Sequence, residues 1–147
     1  MDIIFQLILG FFATLGFSIL FNVPKKSIFP SGLVGAIGWM VSYIFTIYFD
    51  QKVFGTFIAS FVIGMLGEIF AIKLKKPATV FIIPGITPLV PGAGTYYTML
   101  YLIQKDYQTA IRSGAETLFV AAAIAIGVIF ASVFMEYSKS LKRKLTD

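Results

Sequence analysis

The chain has 147 residues, of which 58% are hydrophobic and only 13% charged, against the roughly 25% charge expected of a soluble domain. Histidine and cysteine are both absent, which removes imidazole bases, thiol nucleophiles, disulfides and nearly all zinc chemistry, so neither a metal nor a cofactor is expected. The net charge of +5 sits in short clusters between apolar runs, the pattern of membrane topology rather than of a nucleic-acid surface.

The apolar runs approach the 20 or so residues that a helix needs to cross hydrocarbon, so the sequence predicts an all-α integral membrane protein of about five transmembrane segments. The first, 3–21, is uncharged; without a basic leader or a small-residue cleavage site it is expected to stay in the membrane. The second covers about 31–49 and the third 53–72, with only Asp50, Gln51 and Lys52 between them. Glu68, inside the third, is a candidate coupling carboxylate, because intramembrane acids often serve proton or cation coupling. Its nearness to the end of the span favours instead an interfacial position and a pair with Lys75, if the helix continues.

The fourth stretch, 78–103, would measure about 39 Å as one straight helix, more than the hydrocarbon core requires. It holds three prolines and three glycines within 84–94: Pro84, Gly85, Pro88, Pro91, Gly92 and Gly94. Each proline removes a backbone donor and clashes with the preceding turn, so the helix is expected to break here. Irregular backbone at membrane depth survives only when buried in protein or lining a wet cavity, which is how transporters build sites from discontinuous helices. Half-helix amino ends can hold a carboxylate and freed carbonyls a cation, and Thr87 and Thr95 add hydroxyls. These eight residues form the candidate substrate-binding or permeation site; a kinked structural helix or an interfacial loop is the alternative. The Gly92 and Gly94 pair lacks the strand, helix and lysine context of a nucleotide loop.

The fifth segment covers about 117–135, followed by a basic tail, 139–147, expected to fray into water. Arg112 and Glu116, at helical i,i+4 spacing, are expected to pair on the surface, with a substrate-release contact as the weaker alternative. Gly55 with Ala59, Ser60 with Gly64, and Ala123 with Gly127 and Ala131 have the small-xxx-small spacing of close helix contacts, within the chain or toward a partner. Trp39 reads as a packing residue, and Tyr48, Tyr96, Tyr97, Tyr101 and Tyr107 as an outer aromatic belt.

Lysines and arginines collect on the cytoplasmic side of membranes. With five crossings and the amino terminus outside, Lys25, Lys26, Lys73, Lys75, Lys76, Lys139, Lys142, Arg143 and Lys144 lie inside, against Lys52, Lys105 and Arg112 outside: nine to three. A fourth stretch that entered and returned on one side would give seven to five. A net crossing, with the carboxyl terminus inside, is the expectation.

Phe21-Asn22-Val23-Pro24, Gly35 to Gly38, Thr56 to Gly64, and Pro77 through Tyr97, in this order, resemble the YjjB-type small subunit of the threonine/serine exporter (ThrE) family. The resemblance covers about 15–103. It implies a multi-pass cell-membrane protein that works as the small subunit of a two-component secondary exporter of small metabolites: threonine and serine, or a dicarboxylate such as succinate. It also implies a YjjP-like larger membrane subunit as obligate partner, with a higher oligomer open. A channel-like or structural assembly subunit without its own substrate site is the alternative. Enzymatic catalysis is not expected, since the serines and threonines have no evident base.

Overall fold

The structure, a computed structural model, describes residues 3–144, with side chains as far as Ser140. It is helical throughout: α1 (Ile3–Leu20), α2 (Lys25–Phe49), α3 (Lys52–Leu74), α4 (Thr79–Ile86), a 3-10 turn (Thr87–Leu89), α5 (Gly92–Ile103) and α6 (Tyr107–Lys144). Four of these helices, α1, α2, α3 and α6, are long and apolar enough to cross a membrane.

The side-chain distribution on α1 is the reverse of that in a water-soluble bundle. On α1 the buried residues are Gln6, Gly10, Thr14 and Ser18, one every fourth position, whereas Ile4, Phe12, Ile19 and Leu20 are exposed. Lipid is as apolar as leucine, so little is gained by hiding Leu or Phe, and helices meet through small and hydroxyl-bearing residues. The hydroxyls return to their own helix: Thr14 donates to the Gly10 carbonyl at 2.8 Å and Ser18 to that of Thr14 at 2.8 Å. Gly35 of α2 faces Thr14 closely enough that a β-carbon there would collide with it.

The same logic binds the other helices. A β-carbon on Gly38 would meet Ile63 of α3, and one on Gly67 would meet Ile82 of α4. A β-carbon on Gly64 would lie 2.5 Å from Ala131, and one on Gly127 would strike Ser60 and, at 2.6 Å, the Phe57 carbonyl. Four members of the small-xxx-small motifs, Ser60, Gly64, Gly127 and Ala131, are therefore used inside the chain, at the α3–α6 interface, and Gly55 is used against Phe45 of α2.

These contacts fix the directions. α1 and α2 are antiparallel, as are α2 and α3, but α3 and α6 run parallel: Lys52 meets Glu116, Ser60 meets Ala123, and Glu68 meets Lys139. Between them α4 starts beside the beginning of α2, and α5 forms an antiparallel hairpin with α6 through Thr98 and Ser113, 3.0 Å apart. The fourth stretch thus runs from one end of the bundle to the other as two half-helices in series. Lys25, Lys26, Lys73, Lys75, Lys76 and Lys139 belong to one end of the bundle, and Lys52, Lys105 and Arg112 to the other.

Several boundaries differ from the sequence expectation. α2 starts at Lys25 rather than near Ser31 and carries Pro30 inside it; α6 runs from Tyr107 to Lys144 rather than over 117–135. Hydropathy marks only the part of a helix that lies in hydrocarbon, whereas at about 57 Å α6 is long enough to continue into headgroups and water. The tail expected to fray from Lys139 is helical through Lys144, and residues 145–147 lie outside the described residues, as do the side chains of Lys142, Arg143 and Lys144.

Candidate functional site

Pro84 sits within α4, where its missing N–H leaves the Val80 carbonyl without its i+4 donor. Ser31 of α2, fully buried, brings its hydroxyl oxygen to 3.2 Å from that carbonyl and 2.8 Å from its own Ser27 carbonyl. The single hydroxyl proton is shared between the two carbonyls, with the shorter bond to Ser27, and α4 continues past its proline. Gly85 is buried against Ile63 and Val34, where a β-carbon would come to 3.1 and 3.2 Å.

The helix yields at the next two prolines. Thr87–Leu89 tightens into the 3-10 turn, Val90 is extended at φ −60°, ψ 127°, and Pro91 at φ −79°, ψ 56° leads into α5. The Val90 N–H donates to the Thr87 carbonyl at 3.2 Å, and the Gly92 N–H to the Val90 carbonyl at 2.8 Å. Thr87 and Thr95 turn their hydroxyls back to the Ile83 and Pro91 carbonyls, at 2.9 and 3.2 Å.

One face of this break lines a half-open cavity of about 560 Å³, within the range of about 300–1,000 Å³ typical of small-molecule sites. Its wall is Pro88 through Gly94 and Tyr97 from the broken stretch, Trp39, Ser42, Tyr43 and Thr46 from α2, Lys52 and Thr56 from α3, and Ser113, Glu116, Thr117 and Val120 from α6. Leu89, Thr56 and Val120 are buried, while Lys52 and Glu116 have half-exposed side chains and form an ion pair at 2.6 Å. The amino end of α5 opens here through Gly92, Ala93 and Gly94, a position where the helix dipole favours negative charge. Nothing lies within 4 Å of a β-carbon built on Gly92. A carboxylate can be held by Lys52 and the α5 amino end, an ammonium by Glu116, and polar atoms by the surrounding hydroxyls.

The structure divides the eight candidate residues. Pro88, Pro91, Gly92 and Gly94 line the cavity; Pro84 and Gly85 pack α4 against its neighbours, and Thr87 and Thr95 lie outside the lining. Glu68 also lies outside it and pairs with Lys139 at 3.0 Å, not with Lys75. α3 ends at Leu74 and Lys75 adopts a left-handed conformation at φ 52°, which takes it off the helical face that carries Glu68. Glu116 pairs with Lys52 rather than with Arg112, because the parallel α3 brings an amine to it from another helix.

Trp39 packs against the core and against Gly10 of α1, as expected, and also borders the cavity; its indole N–H donates to the Gln6 side-chain oxygen at 3.0 Å. The polar wall from α2, α3 and α6 escaped sequence reading because these residues come together only through helix packing. A hint was present in Ser42, Thr46 and Thr56, hydroxyls clustered where two spans meet at a short turn.

A family profile described as threonine/serine exporter, ThrE, matches residues 6–134. A protein of Haemophilus influenzae, described as uncharacterized, is 25% identical over 136 aligned residues, covering 87% of this chain and 46% of the relative. The chain thus spans about half the length of that curated relative, and no solved structure matches it. The family match extends over nearly every helix described above, including the broken stretch and its cavity, and the chain belongs to the threonine/serine exporter (ThrE) family.

Proposed function

We propose that this chain is the small membrane subunit of a two-component secondary exporter of small metabolites, threonine and serine or a dicarboxylate such as succinate, and that the cavity beside Pro88–Gly94 is where its substrate passes. The observation that carries the reading is the broken fourth stretch, two half-helices whose junction lines a cavity that combines a lysine, a glutamate and a helix amino end. The family supplies the exporter role. The partner is a YjjP-like larger membrane subunit, a reading supported by a relative about twice as long as this chain. The positive-inside rule orients the bundle with the Lys25 end in the cytoplasm, so that the cavity opens outward, the amino terminus lies outside and the carboxyl terminus inside.

The test is counterflow of labelled against unlabelled threonine, or of succinate, in vesicles holding this chain with and without the larger subunit. Saturable exchange is expected only with both; exchange by this chain alone would refute the two-component reading, and unsaturable flux would indicate a channel-like subunit. Pro88→Ala should reduce exchange with expression and co-purification intact. Because the native chain has no cysteine, single cysteines replacing Ala93, Thr87 and Thr95 can be labelled with a water-soluble thiol reagent. Ala93→Cys, in the lining, should be protected by substrate, and Thr87→Cys and Thr95→Cys, outside it, should be protected less. Labelling of Ala93→Cys that substrate never affects, with exchange intact, would make the break a structural kink.

A further inference from the structure

Lys52 and Glu116 are the charged residues of the cavity lining; their neighbours offer hydroxyls, aromatic rings and apolar surface. They belong to different helices, α3 and α6, and bond directly to each other with side chains 56% and 55% exposed. A pair this exposed adds little to stability. Nor do α3 and α6 depend on it for their attachment, since they are packed through Ser60, Gly64, Gly127 and Ala131, and Glu68 and Lys139 join them again at the opposite end, outside the cavity.

We propose that the Lys52–Glu116 pair is the charge-reading element of the cavity, opening when a solute carrying both a carboxylate and an ammonium replaces each partner for the other. The inference rests on the cavity being the transport site. A solute with both charges leaves neither side chain unpaired: its carboxylate meets Lys52 and the amino end of α5, and its ammonium meets Glu116. A dianion satisfies Lys52 but brings like charge to Glu116 and leaves that carboxylate without its lysine. The pair thus favours zwitterions over dicarboxylates of similar size, and it masks both charges when the cavity is empty.

The experiment measures protection of Ala93→Cys in the chain assembled with its larger subunit, using threonine, threoninamide, N-acetylthreonine and succinate as probes. Threonine should protect at the lowest concentration, and each probe lacking one of the two charges should need roughly tenfold more or higher, the loss of one charged hydrogen bond. Equal protection by threonine and N-acetylthreonine overturns the proposal. In counterflow, Glu116→Gln should lower the threonine-to-succinate ratio, through KM for threonine, while Glu116→Asp retains it. Lys52→Gln should weaken both probes. Glu68→Gln, which breaks the matched pair outside the cavity, should leave the ratio unchanged; an equal fall in Glu68→Gln and Glu116→Gln would mean that both pairs act only by holding helices. Protection by none of the four probes overturns the cavity reading and this inference with it, whereas protection that ignores charge overturns this inference alone.

Discussion

Ser31 places a buried hydroxyl beside a carbonyl that a proline has freed. Pro84 deprives the Val80 carbonyl of a donor, and a bare carbonyl in hydrocarbon is costly. Ser31 sits 3.2 Å away and is fully buried, so water cannot take its place. Ser31→Ala should lower thermal stability in detergent by about 1 kcal/mol, the net value of one hydrogen bond, whereas Ser31→Thr, which keeps the hydroxyl, should lose less. Pairing Ser31→Ala with Pro84→Ala should recover the loss, because alanine returns the missing N–H to α4. Independent, additive losses would show that Ser31 serves another contact.

Among the elements, α3 and α6 form the most extensive pair, and glycine at 127 allows their close approach. A β-carbon there would fall on the Ser60 hydroxyl and the Phe57 carbonyl, and a backbone atom cannot rotate out of the way. Gly127→Leu should therefore separate the helices and destabilise the bundle by about 1–3 kcal/mol, the usual cost of overpacking, with a lower melting temperature and reduced accumulation. Gly16 of α1 meets nothing within 4 Å, so Gly16→Leu serves as the control and should be tolerated within this chain. At the other terminus of α6, Asp106 accepts from the Thr109 N–H at 3.2 Å, in the manner of a helix cap. Hydrogen bonds from the Thr109 side chain, and then from its backbone N–H, hold the Asp106 carboxyl below its ordinary value. A carboxyl depressed in the folded state adds stability that is present above its unfolded pKa and is lost as pH falls through the folded one. The protection of first-turn α6 amides, taken as the exchange rate relative to the intrinsic rate at the same pH, should fall on acidification in the native chain. Asp106→Ala should show the lower protection already at neutral pH, without that pH dependence. An unchanged exchange rate in Asp106→Ala would remove the cap from the account.

For the whole molecule the parallel run of α3 and α6 has a topological consequence. Since α3 and α6 point the same way, the stretch between them must return across the bundle, and α1 and α6 begin at the same end. With the Lys25 end cytoplasmic, a reporter active only in the cytoplasm should signal when fused after Asp147. One active only outside should signal at Asp50–Lys52, and also when inserted between Gln104 and Asp106. The opposite set of signals would invert the orientation, and signals from the last two sites on different sides would contradict the net crossing.

Membrane class, the all-helical character and the breaking of the fourth stretch were legible in the sequence because each rests on local chemistry: the length of an uncharged run, and prolines that cannot donate. The charge asymmetry favoured a net crossing for a similar reason, since lysines flank spans in sequence as they do in space. Where the break falls was decided by tertiary structure. Pro84, as strong a breaker as Pro88 when read alone, remains helical in a packed setting where Ser31, distant in sequence, comes to 3.2 Å from its orphaned carbonyl. The ion pairs were decided the same way: Glu68 and Glu116 found lysines on neighbouring helices instead of partners along their own chain segment. The cavity belongs wholly to the packing. Its charged and hydroxyl residues come from four helices, α2, α3, α5 and α6, and only the parallel placement of α6 beside α3 brings Glu116 to Lys52 over the Pro88–Gly94 break.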